Sequence, residues 1–119
     1  MMSLLVNVFT RDAEGHWNVF DDEEGQEHAG FEACRTKLWG SPAAIALGLT
    51  LLPTLAHGDL YAEGTEMERL EREISVVLDN LPELARVSGY EEAYIRARAQ
   101  NILGAVMRAG QVSGGVVIW

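Results

Sequence analysis

The chain has 119 residues, of which 48% are apolar, so it can form one domain (1–119) with a core that needs neither disulfides nor metal. Its formal net charge of -9 argues against nucleic acid and anionic membrane surfaces as partners, because both require clustered Lys and Arg. The one cysteine, Cys34, cannot form an internal disulfide, and this favours a cytoplasmic location.

Two β-strands are predicted at the N-terminus. Residues 4–10 are rich in Leu, Val and Phe, and their apolar positions partly alternate. Residues 16–20 repeat this pattern after a turn that contains Gly15, which predicts a β-hairpin. The first residues lack the positive charge and the small-residue cleavage site of a signal peptide.

The acidic segment, residues 12–32, contains eight carboxylates and neither Lys nor Arg. These carboxylates belong to Asp12, Glu14, Asp21, Asp22, Glu23, Glu24, Glu27 and Glu32. A field of one sign attracts cationic partners. We therefore predict that an acidic loop, residues 21–28, binds a basic protein surface through Asp21, Asp22, Glu23, Glu24 and Glu27, with Trp17 as an aromatic anchor.

A metal site is not predicted in this segment. A calcium loop requires acidic residues at alternating positions around a sixth-position glycine, and aligning Gly25 with that glycine puts Phe20 at the first ligand position. His16, His28 and His57 are far apart in sequence and lie outside any zinc-binding spacing. The sequence therefore favours a solvated acidic loop without a built metal site or another cofactor, and leaves weak surface binding of Ca²⁺ or Mg²⁺ as an alternative.

Short elements are predicted in the middle of the chain. Apolar spacing favours a short helix over residues 31–38, ended by Gly40. Ser41 and Pro42 are typical of an N-cap and a first helical residue, so a second helix is predicted from Pro42 to about residue 47. Residues 58–64 are consistent with a brief strand between glycines.

Two longer helices follow. Thr65 and Glu68 match a capping box before a helix whose apolar positions run to Leu81, and Pro82 should kink or restart it. A last helix is predicted over residues 91–109, capped by Gly110. Residues 116–119 form a continuous apolar run that is typical of a buried strand.

These elements predict an α+β fold: a small single-domain sandwich with the N-terminal hairpin and the C-terminal strand in one sheet. An antiparallel helix pair would cover one face of this sheet. With strands at both termini, the last strand is expected beside the first.

No catalytic residue is predicted. Cys34 with His57 and a carboxylate could form a nucleophile and base, but no activating feature precedes the cysteine, and a buried thiol is favoured. Nucleophile-elbow and P-loop patterns are absent. Trp17, Trp39 and Trp119 are interpreted as core residues, although an exposed one would suit a partner contact.

The favoured function is that of a small acidic interaction module. In size, charge and compactness the chain resembles immunity proteins and antitoxins, which cover the nucleic-acid site of a toxin. Two alternatives stay open: an enzyme or ligand-binding protein with a His and carboxylate cleft between helices and sheet, and a self-associating accessory protein, for instance a homodimer.

Overall fold

The computed structural model describes residues 3–20 and 25–119. Within these ranges the strands are β1 (Ser3–Arg11), β2 (Trp17–Val19), β3 (His28–Phe31), β4 (Leu60–Ala62) and β5 (Gly115–Ile118). The α-helices are α1 (Pro42–Ala46), α2 (Glu66–Asp79), α3 (Leu81–Ser88) and α4 (Glu92–Gln111). A π-helical turn at Arg35–Trp39 and a 3-10 turn at Leu52–Ala56 complete the chain.

All strand pairs in the sheet are antiparallel, in the order β2-β1-β5-β4, and β3 also pairs with β1. The register places Phe9 opposite Val19 and Val6 opposite Ile118. Both the N-terminal hairpin and the pairing of the last strand with the first are therefore confirmed. The α+β class is confirmed as well.

The helices α2 and α4 pack against each other. Helix α4 lies on β1, β3 and β5, and α2 contacts β4. The core between these layers contains fully buried side chains from both, among them Leu4, Val6, Val8, Leu70, Ile74, Ile95, Ile102, Val116 and Ile118. Burying aliphatic side chains of this size contributes roughly 1.5–3 kcal/mol each, which makes this layer the main source of stability.

The region around Gly30 differs from the prediction. The helix predicted over residues 31–38 is limited to the π-helical turn at Arg35–Trp39, and Phe31 belongs to strand β3. Strand β3 was not predicted because it is short and contains Gly30, which lowers its strand propensity. The backbone of Gly30 has a φ of 121°, and an added Cβ would lie 2.8 Å from the Cys34 sulfur. Close packing at this point requires a glycine.

Helix ends agree with the sequence only in part. The Ser41 hydroxyl accepts a hydrogen bond from the Ala44 amide, and α3 restarts at Leu81 next to Pro82, so both predictions are confirmed. The capping box at Thr65 is wrong, because the Thr65 side chain caps no amide. The carbonyls of Glu63 and Gly64 accept the first amides of α2 instead.

The end of α4 also differs from the prediction. The helix continues past Gly110 to Gln111. It closes where the Gly114 amide donates to the Ala109 carbonyl, with Ser113 in the left-handed region at φ 53°. This arrangement is a Schellman-type ending with serine in the position that usually holds glycine.

Candidate functional site

The face of the sheet opposite α2 and α4 carries a row of large apolar and aromatic side chains, here called the open face. Residues that pair across antiparallel strands share a face. The register therefore assigns the odd-numbered residues of β1, from 5 to 11, and their partners to the open face. The set comprises Leu5, Asn7, Phe9, Arg11, Trp17, Val19, Tyr61, Val117 and, beyond β5, Trp119. Aromatic residues of this kind are enriched in protein interfaces.

Trp17 forms an aromatic cluster at one end of the open face. Its ring stacks on Phe9 at a centroid distance of 4.4 Å and meets the edge of Tyr61 at 5.3 Å. The Arg11 guanidinium lies 4.2 Å from the Trp17 centroid, and its Nε and Nη2 donate to the Glu63 carboxylate at 3.1 and 3.3 Å. This end of the face therefore holds one stacked arginine that belongs to the chain itself.

Asn7 organises the other end of the open face. Its side chain is 5% exposed, and its Oδ1 accepts a hydrogen bond from the Trp119 indole at 3.0 Å. Its Nδ2 lies 3.4 Å from both the Phe20 carbonyl and the Glu27 carboxylate. Phe20 and Glu27 flank residues 21–26, so this one buried amide contacts both stems of the acidic loop and the Trp119 indole.

Helix α4 also contacts the C-terminal stem of the acidic loop. The Asn101 side chain on α4 donates to the carbonyls of Gly25 and His28 at 2.9 and 2.8 Å. The Val6 amide donates to the Glu27 carbonyl at 2.7 Å. The C-terminal stem of the acidic loop is thus fixed to both layers of the fold.

The predicted partner-binding residues have different outcomes. Asp21, Asp22, Glu23 and Glu24 lie outside the described residues. Glu27 lies beside Asn7, and Trp17 lies opposite Arg11 on the same face. Glu27 pairs with Val6 on β1, and Trp17 pairs with Arg11, which lies five residues further along the same strand. Glu27 and Trp17 therefore mark opposite ends of the face, roughly 17 Å apart along the strand.

The tryptophans do not all lie in the core. Trp39 is buried, and its indole donates to the Ala29 carbonyl, which confirms the core interpretation for this residue. Trp17 and Trp119 are 37% and 40% exposed, so that interpretation is wrong for both of them. Both lie on the open face, opposite the layer of α2 and α4.

Charge is unevenly distributed along the chain. Of its nine Lys and Arg residues, Arg11 is the only one that precedes Arg35, and the other eight lie in the helical part of the sequence. The acidic segment carries eight carboxylates. The N-terminal part of the sequence, which also contributes β1 and β2 to the open face, is therefore the more acidic one.

A possible metal cluster lies in the hairpin loop. Ligand atoms of Asp12, Glu14 and His16 fall within 4.8 Å of one another, and all three residues are exposed. The Asp12 carboxylate already accepts hydrogen bonds from the backbone of Glu14 and His16. The hydrogen bond from the His16 backbone is the main reason that the pKa of Asp12 is lowered. These contacts define a turn, and the sequence spacing matches no metal motif.

Cys34 is fully buried, as predicted, beneath two tyrosines. The Tyr94 hydroxyl accepts a hydrogen bond from the Phe31 amide at 3.0 Å, and the Tyr90 and Tyr94 rings stack. Burial and a hydrogen bond to Cys34 raise the pKa of Tyr90 to about 12. A buried thiol under neutral phenols is a packing element, because a nucleophile needs access to a substrate.

Three clefts stand out among the described residues. The first, of about 320 Å³, lies between residues 47–50 and α2, and the second, of about 360 Å³, lies between Arg11 and Gly115. The third, of about 250 Å³, lies between α2 and the end of α4. No histidine lines any of the three, so they do not provide the His and carboxylate cleft of the enzyme hypothesis.

Asn7 was not singled out as a site residue from the sequence, and Trp119 was interpreted as a core residue, with a partner contact as the alternative. Their strand positions were predictable, but a sequence does not say which face of a sheet the helices leave open. Comparison of the chain with models of protein families, with curated proteins and with solved structures finds no match. Among the described residues, no helix is long and apolar enough to cross a membrane.

Proposed function

We propose that this chain is a small protein-interaction module that binds a basic partner surface with its open face and its acidic loop. The observation that carries the proposal is the aromatic face opposite α2 and α4, on which Trp17, Tyr61 and Trp119 are 37–45% exposed. Exposed Trp and Tyr side chains supply large contact areas and frequently dominate binding energy. The stems of the acidic loop border this face through Asn7.

The charge of the chain supports a basic partner. A net charge of -9 raises the association rate with a cationic surface and discriminates against acidic ones. Immunity proteins and antitoxins, which the chain resembles in size, charge and compactness, act in this way. The single buried Cys34 is compatible with a reducing cytoplasm, and we propose this as its compartment.

Capture from the native cell tests the proposal. The tagged chain should retain a basic protein at about 0.1 M salt and lose it at about 1 M, where the Debye length falls from ~10 to ~3 Å. The binding variant neutralises the acidic loop: Asp21→Asn, Asp22→Asn, Glu23→Gln and Glu24→Gln. The matched control neutralises the same number of exposed carboxylates on the helical side: Glu68→Gln, Glu71→Gln, Asp79→Asn and Glu91→Gln.

The partner should be lost with the loop variant and retained with the control. Equal loss in both variants would reduce the effect to net charge alone, and a partner that stays bound at high salt to both would argue against an electrostatic interface. Self-association through the open face is the second candidate, since the same aromatic residues could pair between two copies. Light scattering on the isolated chain decides this, because a dimer that Trp17→Ala dissociates would favour the accessory-protein function.

A further inference from the structure

We propose that the open face recognises arginine side chains of its basic partner, and that Trp119 and Glu27 form the recognition site. This inference rests on the proposed function and specifies the chemistry of the partner. A guanidinium would lie flat on the Trp119 ring while its N–H groups donate to the Glu27 carboxylate. Lysine, with a compact and strongly hydrated charge, satisfies neither contact as well.

The chain itself contains the same arrangement at the opposite end of the face. Arg11 stacks on Trp17 at 4.2 Å, and both of its donating nitrogens bind the Glu63 carboxylate. An aromatic plane next to a carboxylate is therefore a combination that this sheet surface already uses to hold a guanidinium. Arg11 occupies that site from within the chain.

Trp119 and Glu27 repeat the combination. Asn7 holds both of them, since it accepts from the Trp119 indole and lies 3.4 Å from one Glu27 oxygen. The ring of Trp119 remains 40% exposed. Within residues 3–20 and 25–119, the rings that lie next to a guanidinium include Phe9, Trp17 and Tyr94, whereas the exposed part of the Trp119 ring faces the same surface as Glu27.

Charge complementarity selects the occupant. Glu27 belongs to the acidic segment, and no Lys or Arg lies between Arg11 and Arg35 in sequence. A cation that reaches Trp119 is therefore attracted by the Glu27 carboxylate, which shares Asn7 with the indole, and the sequence around Glu27 contributes no Lys or Arg. A cation on a Trp ring contributes about 0.5–1 kcal/mol at an exposed site, which corresponds to a two- to fivefold effect on affinity.

The test compares an arginine homopeptide with a lysine homopeptide of equal length, with binding followed by NMR on the indole N–H groups. The chain has three tryptophans, and buried Trp39 provides an internal reference. We expect the arginine peptide to shift the Trp119 signal, to leave Trp39 unchanged, and to bind about fivefold tighter than the lysine peptide. Trp119→Leu and Glu27→Gln should each remove this preference for arginine.

Glu71→Gln on α2 is the matched control, since it removes the same charge from an exposed helical position. Glu27→Gln also keeps the inference testable if Trp119→Leu fails to fold, because it retains the shape of the side chain. Equal affinity for the two peptides, or arginine binding that shifts other signals and survives both variants, would overturn the arginine site while leaving a basic partner in place. If neither peptide binds, the proposed function and the arginine site both fail.

Discussion

Asn7 accepts a hydrogen bond from the indole of Trp119 at 3.0 Å, which joins β1 to the residue that follows β5. The contact is polar, part-buried and located on the open face, where Asn7 itself is buried and Trp119 is partly exposed. It therefore links the stability of the sheet to the orientation of an exposed aromatic ring. This link is specific to an amide, because only an amide both accepts from the indole and donates towards Phe20 and Glu27.

Asn7→Ala should lower the free energy of unfolding by about 1–3 kcal/mol, because it leaves the Trp119 N–H and the loop stems without a buried partner. Urea unfolding followed by tryptophan fluorescence measures this. Asn18→Ala is the control, since Asn18 is exposed on β2 and should change stability by less than about 0.5 kcal/mol. Equal unfolding midpoints for the two variants would mean that the Asn7 network is not stabilising.

Gly115 on β5 is the cross-strand partner of Phe9, and the Phe9 ring packs over it. A Cβ added there would lie 2.5 Å from the Ala62 carbonyl oxygen and 2.6 Å from the Phe9 ring. Gly115→Ala should therefore cost about 1–3 kcal/mol through overpacking, and near-ultraviolet circular dichroism should report displacement of the Phe9 and Trp17 rings. Gly58→Ala, where a Cβ meets nothing within 4 Å, serves as the control. A Gly115→Ala protein as stable as this control would disprove the close approach.

The sequence predicted the fold better than it predicted the site. Period-two patterns around Val6 and Val8, the proline at Pro42 and the apolar run before Trp119 each report local preferences, and these preferences survive in the fold. Strand β3 and the open face depend on packing between distant segments. A pattern in one segment cannot report such packing, which is why Trp119 was taken for a core residue.

The same limit explains the error at Thr65 and the omission of Glu73. A capping box is a local pattern, but the first amides of α2 are accepted by backbone carbonyls. Glu73, in contrast, lies 21 to 23 residues beyond the amides that it caps. Its buried carboxylate accepts hydrogen bonds from the amides of residues 50–52 at about 3 Å, at the start of the 3-10 turn.

Glu73→Ala should therefore destabilise the chain by about 3 kcal/mol or more, because it leaves several buried amides unpaired. Thr65→Ala should change stability by less than about 0.5 kcal/mol, because no hydrogen bond of the Thr65 side chain caps α2. Denaturant titration of both variants beside the wild type gives the comparison. A larger loss in Thr65→Ala than in Glu73→Ala would restore the capping-box interpretation.

His28 gives the chain a stability that depends on pH. Burial, and then the positive charge of Arg98, lower the pKa of His28 from 6.5. The Gly30 amide donates to Nδ1 at 3.1 Å, and this bond requires the neutral ring, because protonation puts a hydrogen on that nitrogen. The folded state therefore favours neutral His28, whereas the unfolded state protonates it first.

The sign of the effect follows from proton linkage. Below about pH 6.5 the unfolded state binds more protons at His28 than the folded state, so stability falls as the pH decreases and the loss ends below the folded pKa. Unfolding by urea between about pH 7 and pH 5.5, above the range of ordinary carboxylates, should show this decline. His28→Gln should flatten the profile, and Arg98→Gln should reduce its slope by removing one cause of the lowered pKa. A slope that is unchanged in His28→Gln would assign the pH dependence to other groups, and NMR titration of the His28 ring would then have to give a pKa at or above 6.5.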